Sequence, residues 1–388
     1  MSLRTSPSRT APAPAAPVLS ATSTEPPTRI DEGGPGARST RARPILRIDA
    51  HRDDDVILIF STVQDPATND VVPWLARSGR EVVRINEDDP DPGEVAITLG
   101  DAGLSFCWRG KWHADADVEA VWYRKGKFWF PGTAQVPDFP GERALADRLE
   151  SRLRAETDVA KDYFHYLLRA RGARVLGNPF LPRLNKLIVL NQAREAGLAI
   201  PAFEVVDRLR PEHRAGAADY ITKPLSDGVY LWDFDGAQRG YFSYTESLAE
   251  VLDESPERDG DPIPLSLIQL KIAKKLEVRT FYLDGEMLSA AIWSQNDPQT
   301  AIDYRKYNYR KPNRNVPIEL PTGVAAAIDR LFRRIGLNTG SVDLIVDEKD
   351  EFVFLEINPT GQYTYVSNMC NFDIDRRIAE WLTGGCNG

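Results

Sequence analysis

The chain has 388 residues and a formal net charge of −9. That length allows two or three domains around a large core, and the acidic balance argues against a general nucleic-acid binder. No apolar run reaches the roughly 20 residues of a membrane span, and Cys107, Cys370 and Cys386 are too few and too far apart for a disulfide framework or zinc site, so a reducing cytoplasm fits.

Residues 1 to about 45 are rich in Pro, Ala, Ser, Thr and Arg and almost lack large apolar side chains. Such a segment buries too little surface to fold and has no signal-peptide centre, so a disordered tail is expected. The apolar run "DVILIFS" (55–61) predicts a buried strand, followed by a helix over 69–79 and a strand over 81–86. This β-α-β opening predicts a small α/β domain over 46–178. "VEAVWYRKG" (118–126) adds a strand. Leu145, Leu149 and Leu153 predict one or two long helices between Glu142 and about Arg171, and "GARVLGNP" (172–179) closes the domain as strand and turn.

A second domain is expected over 179–265. "NKLIVLNQAREAGLAIP" (185–201) reads as an amphipathic helix stopped by Gly197 and Pro201. "AFEVVD" and "DYITKPLS" read as strands with a short helix between them at about 209–218. "GVYLWDFDGAQRGYFSYTE" (228–246) reads as a hairpin with Asp235-Gly236 as its turn. A third domain, 266–388, holds "LSLIQLKI", "LEVRTFYLDGEMLSAAIWSQ" and "GSVDLIVDEKDEFVFLEINPTG" as strands. Its turns are expected at Asp284-Gly285 and near Lys349-Asp350, with helices over 322–336 and at "DIDRRIAEWLTGG".

The last hairpin carries the strongest chemical signal. With Lys349 and Asp350 as a two-residue turn, Glu348 faces Glu351 and Asp343 lies opposite Glu356. Period-two alternation then places Asp343, Glu356 and Asn358 on one sheet face. Three oxygen donors there suit Mg²⁺, which is usually completed by water and phosphate. The plainer alternative is a solvated edge with Asn358 capping a turn.

Lys186 opens a helix and Lys223 ends the strand "YITKP". Both are suited to phosphate, although a lone lysine is more often a surface group. "EVR" places Glu277 and Arg279 on one strand face, either as a functional pair or as a surface ion pair. "IDYRKYNYRKPNRN" (302–315) is a basic aromatic loop with Arg305, Arg310 and Arg314. Arginines of this kind stabilise phosphoryl charge; the alternative is a patch for an acidic partner or a single strand of nucleic acid. The four histidines, His51, His113, His165 and His213, fall in no motif.

In this order "NKLIVLNQAREAGLAIP", "YITKP", "IQLKIAKKLEVRTFYLDG" and "SVDLIVDEKDEFVFLEINPTGQY" resemble the ATP-grasp superfamily over about residues 176–388. With "AVWYRKG" and "EINPTGQY", the chain is most similar to the graspetide (microviridin-type) peptide ligases. The resemblance implies an α/β (α+β) architecture in which the second and third domains sandwich ATP. It implies Lys186 and Lys223 as nucleotide lysines, and Gln269, Leu270 and Ile272 in the hinge whose backbone reads adenine. Glu277 would be the ribose contact, Arg279 and Arg305 the catalytic phosphate and acyl-phosphate arginines, and Asp343, Glu356 and Asn358 the Mg²⁺ ligands. The chain departs from the pattern at Leu270, where related ligases often have Glu, and after Lys223, where only Gly228 stands for a glycine-rich loop.

The implied reaction uses ATP to activate carboxylates of a ribosomal precursor peptide, whose leader docks on the second domain, where Trp232, Phe234, Tyr241 and Phe242 are either its contacts or simply the packing of the hairpin on its own sheet. Neither nucleic acid nor membrane is implied as a partner, and a homodimer is compatible. Two other readings stay open: a ligase adding free amino acids to a protein or peptide, and a nucleotide-binding regulatory protein without ligation.

Overall fold

The structure is a computed structural model that describes residues 4–6, 55–128, 143–226, 230–233, 239–242, 245–254, 262–295, 308 and 310–385. His51, Gly228, Phe234, the Asp235-Gly236 turn, Arg305 and Cys386 lie outside these residues, as does the expected tail apart from Arg4–Ser6, which pairs as a strand with Arg239–Phe242.

The N-terminal sheet is parallel. Strand Val56–Ser61 is buried throughout, with Glu81–Asn86 on one side and Val118–Tyr123, then Arg174–Leu176, on the other. Its unbroken apolar run reflects cover on both faces. Phe164, Leu167 and Leu168, near the end of the single 28-residue helix Arg143–Ala170, pack on one face with Phe106 and Phe128. Helices Pro66–Ala76 and Ile374–Leu382 pack on the other, in a cluster that includes Phe281 and Leu283 of the C-terminal sheet. That shared core joins the first and last parts of the chain.

The helix expected over 69–79 runs Pro66–Ala76. Asp65 caps it by accepting the Thr68 N–H at 3.1 Å, and Pro66 occupies the first turn, where a missing N–H costs nothing. Not foreseen in the sequence is the antiparallel sheet Val95–Gly100, Gly103–Trp108, Lys111–Ala114.

The middle sheet has the order Glu246–Ser247, Tyr220–Lys223, Pro262–Leu270, Phe203–Arg208. Tyr230–Asp233 and Arg239–Phe242 pair as the expected hairpin. The C-terminal sheet is antiparallel, in the order Arg314–Ile318, Glu286–Trp293, Lys274–Leu283, Thr339–Asp347, Phe352–Asn358. Helices Lys186–Glu195 and Thr322–Ile335 bury one of its faces through Val189, Leu190, Ile328 and Leu331 against Val278, Val342, Leu344 and Phe354. Asp284 and Gly285 form the expected two-residue turn, both with positive φ (45° and 102°), as a type I′ hairpin requires.

The last hairpin corrects the sequence reading. Its loop has three residues, Glu348 to Asp350, with Asp350 at φ 66° and the Asp347 N–H donating to Glu351 O at 3.0 Å. Val346 therefore pairs with Phe352 and Leu344 with Phe354, and Glu348 does not face Glu351. A bulge at Leu355 then adds one residue, so Asp343 lies opposite Glu356 after all.

Candidate functional site

The other face of the C-terminal sheet carries a polar stretch. On Lys274–Leu283, Glu277 and Arg279 flank the core residue Val278, so alternation turns both away from the helices. Arg279 lies opposite Asp343, and Asp343 opposite Glu356, giving a row across three strands. Arg279 Nη1 donates to both Asp343 oxygens at 2.7 and 2.6 Å, and Nη2 to the Gln362 carbonyl at 3.2 Å. Lys186, the first helical residue after the Asn185 cap, brings its Nζ to 3.7 Å from Glu356 Oε2. Each carboxylate of the row thus faces a cation rather than the other carboxylate.

Asn358 lies opposite Ser341 on the same face. Its Oδ1 accepts the Thr360 N–H at 3.1 Å, the turn-capping role weighed as the alternative for this residue. Ser341 Oγ is buried without a hydrogen-bond partner. Two opposed carboxylates, a carboxamide and an orphaned hydroxyl make an all-oxygen donor set, the chemistry that suits a hard divalent cation.

Glu277 and Arg279 are not a surface ion pair. Both are buried, and Glu277 Oε1 takes Lys274 Nζ at 2.6 Å and Ser294 Oγ at 2.7 Å. Burial pushes the Glu277 carboxyl up, against the pull of Lys274 and Ser294. No sequence pattern marked Lys274 or Ser294.

In the middle sheet, Lys223 pairs with Leu267 and Ile221 with Gln269, so Lys223 and Gln269 share a face. Gln269 is fully buried, and both polar atoms of its carboxamide lack partners. From there Leu270 to Ile272 lead directly into Lys274–Leu283, as a hinge between two sheets must.

The sequence reading also missed how the turn after Asn358 is held. Arg124 donates to the Thr360 carbonyl and, at 3.2 Å, to Gly361 O, while Arg279 holds Gln362 O. Three successive carbonyls are thus fixed by two arginines. Arg124 sits over the Tyr363 ring and is anchored on the buried Asp65 carboxylate at 3.1 Å. Burial pushes that carboxyl up, but Arg124, Lys125 and Thr68 hold it below the usual aspartate range. The signal was present in "VWYRKG", which the sequence reading used as a strand and for the family resemblance but not for a role of Arg124. Cys107 and Cys370 are buried free thiols, and His113, His165 and His213 are buried.

No protein-family model matches the chain, and no curated protein sequence does. Solved structures do. A Chryseobacterium gregarium RiPP-associated ATP-grasp ligase in complex with ADP and a leader and core peptide is 24% identical, with a TM-score of 0.65 over 86% of this chain and 97% of that one. Macrocyclase MdnC from Microcystis aeruginosa MRC, bound with precursor peptide MdnA, is 23% identical, with a TM-score of 0.60 over 85% and 99%. ATP-grasp ligase PsnB, complexed with minimal precursor, Mg and ADP, is 18% identical, with a TM-score of 0.60 over 87% and 99%. The chain has the ATP-grasp fold and matches these ligases in structure over most of its length.

Proposed function

We propose that the protein is an ATP-dependent ligase that activates Asp or Glu side chains of a ribosomal precursor peptide as acyl phosphates and closes ester or amide macrocycles. The observation that carries this reading is the row Arg279, Asp343, Glu356, with Lys186 at its end, on one sheet face. Two carboxylates there would hold Mg²⁺, with Asn358 as third donor once its carboxamide turns from Thr360. When bound, Mg²⁺ would supply positive charge against the phosphates.

Lys186 and Lys223 would hold the nucleotide phosphates, and the backbone from Gln269 to Ile272 the adenine. Glu277, kept in place by Lys274 and Ser294, would take the ribose. Arg279, now on Asp343, would turn its guanidinium to the transferring phosphoryl group. Arg305 is proposed as the second phosphate arginine on the strength of the resemblance alone. A substrate carboxylate oxygen attacks the γ-phosphorus and ADP leaves. A hydroxyl or amine then attacks the acyl carbon, losing its proton as phosphate departs. Positioning and charge stabilisation suffice for both steps, and no protein nucleophile is needed.

The peptide complexes of the two similar ligases favour a precursor peptide as substrate, and tethering by its leader would raise the effective concentration of the reacting groups. The test is to incubate the protein, ATP and Mg²⁺ with the peptide of a short neighbouring reading frame rich in Thr, Ser or Lys and Asp or Glu, and to weigh the product. Loss of water from the peptide supports the reading, and an unchanged peptide contradicts it.

A further inference from the structure

We infer that the crevice at the carboxyl ends of strands Val56–Ser61 and Val118–Tyr123 seats a substrate carboxylate, with the Lys125 ammonium as its contact. This rests on the ligase reading and assigns the acidic-substrate subsite within it.

The first support is topological. The chain leaves Val56–Ser61 for Glu81–Asn86 on one side and returns to Val118–Tyr123 on the other, all three strands being parallel. The strand order reverses there, so the two outgoing connections diverge and leave a crevice. Ligands of open parallel sheets bind at such points, beyond the carboxyl ends of the strands. The residues delivered to it are Arg124, Lys125, Gly126 and Lys127. The N–H groups of Arg124 and Lys125 both donate to Phe60 O at 3.0 Å, so this basic run crosses the end of the neighbouring strand. Gly126 makes that crossing possible. Its φ is 90°, and a Cβ there would lie 2.9 Å from Ser61 O.

The second support is electrostatic. The fully buried Asp65 carboxylate serves two cations, Arg124 Nε at 3.1 Å on Oδ2 and Lys125 Nζ at 2.9 Å on Oδ1. Arg124 spends its other contacts on the Thr360 and Gly361 carbonyls. One negative charge thus balances two positive ones. The neighbouring charges are engaged elsewhere: Glu87 accepts the Lys127 N–H, Asp88 accepts the Val63 N–H, Lys127 Nζ meets Asp162, and Arg84 binds Asn69, Asn86 and the Thr62 carbonyl. Arg124 has only 4% of its side chain exposed, whereas Lys125 has 31%, so Lys125 is the cation an incoming anion can reach.

Position then selects the anion. Through Arg124 the crevice abuts the turn that follows Asn358. Nucleotide phosphates have their own cations in the ligase reading. The remaining anion that the reaction requires is the acidic side chain of the peptide. Arg124 and Asp65 act as positioning residues, fixing Lys125 and the turn together.

The test uses fluorescence anisotropy of a fluorescein-labelled peptide of alternating Thr and Glu, with a Thr-Gln peptide as control, on protein saturated with Mg²⁺ and ADP. The wild type should bind the Glu peptide and prefer it over the Gln peptide. Lys125→Gln should weaken Glu-peptide binding by about tenfold, equivalent to about 1.4 kcal/mol. Lys125→Arg should largely restore it, and ADP affinity should be unchanged in both variants. The inference is overturned by equal binding of the two peptides, by undiminished binding in Lys125→Gln, or by a nucleotide-saturated wild type that ignores the Glu peptide. Failure of the wild type to bind nucleotide would instead overturn the ligase reading. The Glu-to-Gln comparison on the wild type stands even if Lys125→Gln fails to fold.

Discussion

Asp343 lies directly opposite Glu356 because Leu355 is a bulge. Phe354 and Ile357 both pack into the apolar core, three residues apart, which an unbroken period-two strand does not permit. Without the extra residue, Glu356 would fall in phase with Phe354, on the apolar face. The three-residue loop at Glu348 to Asp350 shifts the register one way and the bulge shifts it back. The two carboxylates meet through this compensation.

The two carboxylates should respond differently to neutralisation. Asp343→Asn removes the carboxylate charge facing Arg279, whose side chain is 9% exposed, whereas Glu356→Gln removes the one facing Lys186, which is 22% exposed. Breaking a buried pair costs about 3–5 kcal/mol, and a more open one about 0–1 kcal/mol. Thermal melting should show the larger drop for Asp343→Asn, while calorimetry shows weakened Mg²⁺-dependent nucleotide binding in both. Equal melting losses would argue against the Arg279–Asp343 pair.

Lys186→Ala and Lys223→Ala should each lose a charge-assisted phosphate contact, worth about 1.5–3 kcal/mol. Titration with an ATP analogue and Mg²⁺ reads this as a fall in affinity at an almost unchanged melting temperature. Wild-type affinity in either variant removes that lysine from the site.

Gly361→Ala should disturb the turn after Asn358. A Cβ at this position would stand 2.1 Å from Ser341 Oγ and 2.8 Å from the Ser341 backbone nitrogen. The side chain can be removed but the nitrogen cannot, so Ser341→Gly should rescue Gly361→Ala only in part. Melting and Mg²⁺-dependent nucleotide binding should both fall in the single variant, and full tolerance would show that this turn is not tightly packed.

Acid should destabilise the protein in two stages. Burial pushes the His165 imidazole down to about 3, with its Nδ1 3.0 Å from the Tyr123 hydroxyl. The folded state keeps this ring neutral while the unfolded chain takes up a proton below about 6.5, so stability falls as pH drops through that value. Glu119 acts lower. Burial pushes its carboxyl up, but Arg80 and Arg174, both at 2.5 Å, bring it below the usual glutamate range. Its contribution is complete above the ordinary glutamate value and is lost as pH falls through the lowered one. Melting temperature against pH should lose the first stage in His165→Gln and have a shallower second stage in Glu119→Gln. Unchanged profiles in both would contradict these assignments.

Much of this was legible in the sequence because the signals were local. The apolar run at Val56–Ser61, the Asp284-Gly285 turn and the helix expected over 322–336, found at Thr322–Ile335, each follow from nearby residues. The carboxylate pair was legible for a wrong reason, since neither the three-residue loop nor the Leu355 bulge has a marker that alternation reveals. Lys274 on Glu277, and Arg124 on Asp65 and the Thr360 carbonyl, were not legible. Lys274 and Glu277 lie three apart on one strand, where plain alternation puts them on opposite faces, and the irregularity between Lys274 and Leu276 is invisible in the sequence. Arg124, Asp65 and Thr360 lie far apart in the chain and meet through the shared core of the N-terminal and C-terminal sheets.

The most direct test of the ligase reading is intact-mass measurement of a cognate precursor incubated with the protein, ATP and Mg²⁺, with ADP counted in parallel. The reading predicts loss of one water per ring with one ATP converted to ADP each time, and no loss in Asp343→Asn. A precursor of unchanged mass beside a protein that binds ATP, or a mass gain matching an added amino acid, would contradict it.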